Sequence, residues 1–132
     1  LKGTTLKNLK KLEKGEKFVL LPYSSKLHES ELPESWDVTS DSIAVWVAHR
    51  LKLAGYSISA IKITDVDGIF KNGRLLNRVK AHEISRGFGD LSCIDSYALK
   101  LIQKLGIKLF VCRWDRVKDY IVEGKMLGTL IE

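Results

Sequence analysis

Short apolar runs alternate along this chain with longer segments in which apolar residues recur every three or four positions. The apolar runs predict strands near residues 18–21, 58–64, 107–112 and 127–131. The periodic segments predict helices near residues 41–54, 94–105 and 116–123. This alternation is typical of a mainly parallel sheet with helices on both faces, so the sequence predicts an α/β fold, a three-layer αβα sandwich, in one domain over residues 1–132.

Polar residues and glycines set the predicted helix ends. Thr39 or Ser40 is predicted to cap the helix that begins near Asp41, and Asp115 to cap the last helix. The predicted stops are the glycines Gly55, Gly106 and Gly124. The predicted apolar stripe of the helix near Asp41 comprises Ile43, Val47, Leu51 and Ala54.

Two further elements follow from shorter patterns. Leucines at three-residue spacing predict a helix over residues 4–13 that ends at Gly15. The pair Asn72-Gly73 is preferred in two-residue hairpin turns, so a short hairpin excursion is predicted within residues 71–79.

Two junctions between elements are candidates for a binding site, because ligands of such sheets bind where strand ends meet helix N-termini. The first is the helix start at Thr39, Ser40, Asp41 and Ser42. Hydroxyls and free backbone N–H groups there bind anions, and a carboxylate can orient a lysine or a magnesium ion against a phosphate. The alternative is that Thr39 or Ser40 only caps the helix and Asp41 only favours its dipole.

The second junction, residues 64–70, follows a predicted strand. Asp65 and Asp67 flank one apolar residue beside Gly68, and they could bind ribose hydroxyls, the adenine amino group or a metal. The alternative is a plain turn, since Asp-Gly is a common turn pair. A third segment, residues 87–90, resembles part of a glycine-rich phosphate loop but lacks its lysine, and we interpret it as an ordinary loop.

The net charge fits several classes of partner, and its distribution along the chain disfavours some of them. The formal charge is +6 with a pI of about 9.3, which suits nucleic acid, an acidic membrane surface or phosphorylated small molecules. The densest lysine run, residues 2–17, has no interleaved aromatic residue of the kind that stacks on bases. The sequence therefore favours a solvated helix face and predicts neither a nucleic-acid nor a membrane partner.

Cysteine usage and hydropathy bear on the compartment. Cys93 and Cys112 form no CxxC pair and have no histidine at a metal-ligand spacing, so we predict structural thiols, no protein metal site and a reduced, cytoplasmic compartment. No apolar stretch has the length of a membrane span, and no signal peptide is visible.

Four motifs occur in an order that resembles the amino-acid kinase superfamily. They are residues 39–44 (TSDSIA), 64–70 (TDVDGIF), 93–98 (CIDSYA) and 124–131 (GKMLGTLI). The resemblance covers about residues 15–132. Within the superfamily, residues 32–44 resemble uridylate kinase-like archaeal members, a branch that includes the furanmethyl-phosphate kinase of methanofuran biosynthesis.

The resemblance implies transfer of the γ-phosphoryl group of ATP, with Mg²⁺, to a small carboxylate, carbamate or phosphate. It implies a catalytic role for Asp41, as the aspartate that organises the catalytic lysines, with Thr39 and Ser40 on the substrate side. It also implies a nucleotide site whose residues are Thr64, Asp65, Asp67, Gly68, Phe70 and Lys71, the last of them near the phosphates.

Two departures from the family pattern refine this expectation. Acetylglutamate-type members carry a lysine where this chain has Asp95, whereas uridylate kinases carry aspartate, which favours a phosphate monoester as acceptor. The family's N-terminal strand and its K-x-G-G-S loop are absent. We therefore expect the C-terminal, nucleotide-binding half of the fold, as a fragment or split subunit that forms a homo-oligomer or associates with the missing half.

Two other functions are consistent with the sequence. One is a non-catalytic nucleotide-binding or oxoanion-storage protein on the same fold, against which the low histidine content argues. The other is a basic nucleic-acid-binding module, which only the net charge supports.

Overall fold

The computed structural model describes residues 2–5, 15, 17–21, 32, 33, 35, 37–87 and 93–132. The strands are β1 (Lys2–Thr5), β2 (Phe18–Leu21), β3 (Ala60–Thr64), β4 (Phe70–Lys71), β5 (Arg74–Leu75), β6 (Arg78–Val79), β7 (Leu109–Arg113) and β8 (Thr129–Ile131). The helices are α1 (Ser40–Leu53), α2 (Ala81–Ser85), α3 (Ser96–Leu105) and α4 (Val117–Glu123), and a short 3₁₀ turn spans Trp114–Arg116.

Four strands form the main sheet in the order β3-β7-β8-β6. β3 and β7 are parallel with Thr64 opposite Arg113, β6 and β8 are parallel, and β7 and β8 are antiparallel. β1 and β2 form a separate parallel pair. The predicted α/β fold with a mainly parallel sheet is confirmed.

Helices cover both faces of the main sheet because the side chains of β7 alternate between two packing partners. Leu109 and Val111 belong to the main core together with Val45 of α1 and Leu99 of α3. Phe110 lies on the opposite face of β7, where its ring stacks on Tyr120 of α4 with 4.2 Å between centroids. The described part thus has the three layers that the sequence predicts.

The predicted helix ends agree with the structure in most places. Thr39 caps α1 by accepting a hydrogen bond from the backbone N–H of Asp41. Gly106 and Gly124 end α3 and α4 in the left-handed conformation, with φ of 60° and 66°. At the hairpin, β4 and β5 are joined by Asn72 and Gly73, both with positive φ, as a two-residue turn requires.

Asp115 does not cap α4, contrary to the prediction. It lies in the 3₁₀ turn that precedes this helix. The reason is a competing partner: the guanidinium of Arg113 donates two hydrogen bonds, of 2.8 and 2.9 Å, to the carboxylate of Asp115. The carboxylate is therefore directed back toward β7.

The helix predicted over residues 4–13 is wrong at its start. Thr4 and Thr5 belong to β1, where they pair in parallel register with Leu20 and Leu21. Adjacent β-branched threonines favour extended backbone, and a long-range partner strand is available. The remainder of this prediction lies outside the described residues, as do residues 88–92 of the glycine-containing loop.

Two short elements, β6 and α2, were not predicted from the sequence. Both are too short to show a hydrophobic period. β6 joins the main sheet by pairing with β8, and the buried residues Val79, Ala81 and Ile84 connect the two elements to the core. None of the helices in the described part of the chain is long and apolar enough to cross a membrane.

Candidate active site

The N-termini of α1 and α3 meet at one carboxylate, that of Asp95. Thr39 Oγ1 donates a 2.6 Å hydrogen bond to Asp95 Oδ2, and Ser42 Oγ donates a 2.9 Å bond to Oδ1. The backbone N–H of Ala98 donates to the same Oδ1 at 2.6 Å, which makes Asp95 the N-cap of α3. These three donors leave Asp95 fixed between the two helices, with Ser42 fully buried beneath it.

Asp41 forms the second connection, to the sheet. Its carboxylate makes a close ion pair with the ammonium of Lys62 and accepts a 3.4 Å hydrogen bond from the backbone N–H of Asp95. Only 13% of the Asp41 side chain and 23% of the Lys62 side chain is exposed. The pair is therefore largely screened from water. Electrostatic interactions are stronger in such surroundings than in water.

Lys62 joins the two junctions that the sequence analysis treated separately. It lies in β3 two residues before Thr64, and side chains two apart in a strand point to the same face. The ammonium that binds Asp41 and the hydroxyl that opens the turn at residues 64–70 are consequently on one side of the sheet.

The turn after β3 meets the end of β7. Thr64 Oγ1 donates a 3.1 Å hydrogen bond to Asp65 Oδ1, and Asp67 lies 3.5 Å from a guanidinium nitrogen of Arg113. Through their hydrogen bonds, Arg113 lowers the pKa of the Asp115 carboxyl, and Asp115 raises the pKa of Arg113. Arg113 thereby fixes the carboxylates at two neighbouring strand ends.

Packing within the protein explains why residue 68 is a glycine, without any contact to a ligand. Its φ is 146°, and a Cβ at this position would lie 2.5 Å from Thr129 Oγ1. That hydroxyl accepts a 2.9 Å hydrogen bond from the backbone N–H of Ile69 and donates to the carbonyl of Leu76. Gly68 therefore allows the turn to lie directly on β8.

Three predicted site residues are placed by their elements and not by contacts with this cluster. Phe70 is 37% exposed at the start of β4, and Lys71 follows it in the hairpin. Ser40 is exposed in the first turn of α1. The structure thus brings Thr39 and Asp41 together directly. Thr64 is linked to them through Lys62, and Ser40, Phe70 and Lys71 make none of these contacts.

Sequence reasoning missed Lys62 and Arg113, and it included Ser42 in the helix-start junction without giving it a role of its own. A lysine within the run Ala-Ile-Lys-Ile-Thr was the available signal for Lys62, because a charge inside a strand that is otherwise apolar needs a partner. No local pattern indicates that this partner is Asp41, 21 residues earlier. Cys93 and Cys112 are both buried, and neither forms a disulfide.

Fold and site together define an open α/β protein whose hydroxyls, carboxylates and one lysine gather where strand ends meet two helix N-termini. The chain belongs to the amino acid kinase family, whose family model matches residues 3–113. It is 33% identical over 128 residues to [5-(aminomethyl)furan-3-yl]methyl phosphate kinase of Methanocaldococcus jannaschii. That match covers 92% of this chain and 55% of the relative, so the chain spans about half the length of this curated relative.

Solved structures show the same fold. The UMP kinase of Bacillus anthracis matches with a TM-score of 0.59 and 24% identity, covering 72% of this chain and 41% of that one. The uridylate kinase of Archaeoglobus fulgidus matches with a TM-score of 0.52 and 24% identity, covering 72% and 47%. At this identity the likeness concerns the fold, which is that of the uridylate kinases.

Proposed function

We propose that this chain is the nucleotide-binding half of an ATP-dependent kinase that phosphorylates a small phosphate monoester. The observation that carries the proposal is the Asp41–Lys62 pair, which joins the start of α1 to the strand that leads into the turn at residues 64–70. In phosphoryl transfer, catalysis is mostly positioning and charge neutralisation, and this cluster has the groups for both.

The nucleotide would bind along the turn after β3. Carboxylates accept hydrogen bonds from ribose hydroxyls and from an adenine amino group, and Asp65 and Asp67 lie at the strand mouth for this purpose. Thr64 adds a hydroxyl, Phe70 a partly exposed ring, and Lys71 a cation for the phosphates. Gly68 has no direct role in this proposal beyond letting the turn lie on β8.

The acceptor side would use the α1–α3 corner. The hydroxyl of Ser40 lies at the N-terminus of α1, where backbone N–H groups favour anions. Thr39 donates its hydroxyl proton to Asp95 and would hold this helix start in position beside the acceptor. The relative from Methanocaldococcus jannaschii is named a phosphate kinase, and the structural neighbours are named UMP and uridylate kinases. These names support a phosphorylated acceptor over a carboxylate.

Magnesium fits the residues present without a dedicated protein cage. Within the described ranges, no three histidine, cysteine or acidic side chains gather around one point. Mg²⁺ usually keeps several waters and is bound largely through substrate phosphates, so the nucleotide phosphates would hold it while Asp65 and Asp67 contact the ribose and the base. When bound, it would neutralise charge on the nucleotide phosphates.

An apolar groove supports the proposal that this half is completed by further polypeptide. The groove, of about 780 Å³, lies between α1, β3 and Leu20 of β2. In the described part β3 is an edge strand of the main sheet, with Ile63 57% exposed. Unpaired edges and wide apolar faces are normally covered. We propose that the occupant is the polypeptide that corresponds to the uncovered length of the relative, carrying the phosphate loop and acceptor pocket.

The mass of the natural gene product tests this completion. A polypeptide longer than 132 residues, or a stable complex with a second chain that carries the remaining elements, is the expected result. A 132-residue product that purifies without a partner, or with copies of itself alone, would overturn it.

Calorimetry of the natural protein with ATP and Mg²⁺ tests the kinase proposal. We expect saturable binding that is lost when Asp65 and Asp67 are both changed to alanine, while Asp37→Ala, an acidic residue outside the site, leaves it unchanged. Absence of ATP binding by the natural protein would contradict the proposed function.

A further inference from the structure

We propose that Lys62 contacts the phosphoryl group that is transferred, with Asp41 as the residue that holds it in position. The inference rests on the proposed function and assigns a role to a residue that lies between the motifs at residues 39–44 and 64–70. In the transfer, an oxygen of the acceptor phosphate forms a bond to the γ-phosphorus of ATP. The bond between the γ-phosphorus and the oxygen that bridges the β- and γ-phosphates breaks, and its electron pair leaves with ADP. A phosphate dianion needs no deprotonation, so Lys62 acts as a cation and not as an acid.

The position of Lys62 is costly for a lysine. Its neighbours in β3, Ala60, Ile61 and Ile63, are apolar, and only 23% of its side chain is exposed. The surface cations on Glu132 are far more exposed, with 56% to 64% of the Arg78, Lys80 and Lys108 side chains open to solvent. A screened ion pair is weak support for stability, since apolar residues of similar size often serve as well or better.

The bonding around Lys62 leaves capacity for an anion. An ammonium carries three donors, and the contact with Asp41 uses one of them. Asp41 in turn accepts from the backbone N–H of Asp95, so its carboxylate is held from the helix side and fixes the lysine from the sheet side. This arrangement orients a cation while keeping donors for a second partner.

The charges where the N-termini of α1 and α3 meet also support an anion contact at Lys62. The carboxylate of Asp95 is already compensated by the hydroxyls of Thr39 and Ser42 and by the N-terminus of α3. Among the described residues with a side-chain contact to Asp41 or Asp95, Lys62 is the one cation. A phosphoryl group that reaches the start of α1 from the turn at Thr64 would meet this ammonium.

The test compares ATP and ADP as probes, because they differ in the γ-phosphate alone. Their dissociation constants are measured by calorimetry with Mg²⁺ on the natural protein, on Lys62→Met and on Lys62→Arg. A lost charge-assisted contact predicts that Lys62→Met weakens ATP binding about 10-fold or more while ADP binding changes less than 3-fold. Lys62→Arg should restore part of the preference for ATP. The control is Lys104→Met, on the exposed side of α3, which removes the same charge and should change neither constant.

The outcomes separate the two proposals. If the natural protein binds neither nucleotide, the proposed function fails, and this inference fails with it. If it binds both, and folded Lys62→Met keeps the natural ratio of ATP to ADP affinity, the kinase proposal stands and the role of Lys62 is overturned. If Lys62→Met does not fold, Lys62→Gln takes its place, because it also removes the charge but can still donate a hydrogen bond to Asp41. A folded Lys62→Gln that keeps the natural ratio would assign Lys62 to a structural ion pair.

Discussion

The hydroxyl of Thr39 donates a 2.6 Å hydrogen bond to the carboxylate of Asp95, 56 residues further along the chain. This contact, with the parallel one from Ser42, ties the first turns of α1 and α3 to each other. The corner that results is rigid at the point where the proposed acceptor would bind. The contribution of these contacts to protein stability can therefore be measured separately from any activity.

Replacing Asp95 by alanine should destabilise the protein by about 2–4 kcal/mol. The change removes the cap of α3 and leaves the fully buried Ser42 hydroxyl without its acceptor. Asp95→Asn should cost less, because an amide oxygen still accepts. Urea unfolding measures both. As a control, Asp119→Ala removes an ion pair on α4 with Arg116 and should cost about 0–1 kcal/mol; equal losses at the two sites would contradict the corner's role.

Replacing Asp41 by asparagine should lower turnover by about 100-fold or more, because loss of one charged group that organises a transition state commonly costs this much. The fold should persist, since asparagine is close to isosteric and the amide oxygen still faces Lys62. Turnover and thermal unfolding are measured on the same preparation, with Glu123→Gln, in an exposed pair with Lys125, as the charge control. Normal turnover of the Asp41 variant would remove it from the proposed role.

Gly68→Ala should destabilise the protein by about 2–3 kcal/mol, combining backbone strain with a steric clash. The added Cβ would lie 2.5 Å from Thr129 Oγ1 at a φ of 146°. Gly73→Ala is the matched control, because Gly73 also has positive φ but a Cβ there would have nothing within 4 Å. It should cost about 1 kcal/mol. A similar loss in both variants, measured by chemical denaturation, would show that the contact with Thr129 is unimportant.

The ion pairs of Glu132 should make the stability of the folded protein depend on pH. Hydrogen bonds from Lys108 and Lys80 lower its pKa from an ordinary value of 4.5. The ionised form is therefore favoured in the folded state, and its contribution is fully present above about pH 4.5 and is lost as the pH falls through the lower folded pKa. Glu132→Gln should be less stable than the natural protein at pH 7.

The difference between Glu132→Gln and the natural protein should shrink in acid and vanish once Glu132 is protonated in both states. Thermal unfolding across pH 2 to 7 (about five points) follows it. A difference that stays constant over this range would show that the loss comes from packing and not from charge.

The elements of this fold were largely predictable because their signals are local. Thr39, Gly106 and Gly124 end their helices through their own backbone and side-chain preferences, and Asn72-Gly73 specifies its turn in the same way. Asp115 shows the limit of such rules. It has the chemistry of a cap, but Arg113 two residues earlier offers a bidentate partner that a cap cannot match.

The site was predictable only in its motifs and not in its connections. Asp41 and the turn at residues 64–70 were found from spacing, but Lys62, which joins them, was not, because its partner is set by the packing of α1 against β3. The face of α1 was misjudged for a related reason. Ser42, Val45 and Ala48 are the buried residues of α1. Of the predicted stripe, Ile43, Val47 and Leu51 are half-buried and line the groove beside β3, and Ala54 is exposed.

The contact of Thr129 with the turn after β3 has a consequence for biosynthesis. The hydroxyl of Thr129 accepts a hydrogen bond from the N–H of Ile69 and donates one to the carbonyl of Leu76. It therefore completes a turn that begins about 60 residues earlier in the chain. On the ribosome, where synthesis proceeds at about 5–20 residues per second, β3 and its turn emerge several seconds before Thr129 does. The proposed nucleotide pocket therefore reaches its final shape only when β8 has been translated, and a nascent chain stalled before that point should not hold the nucleotide.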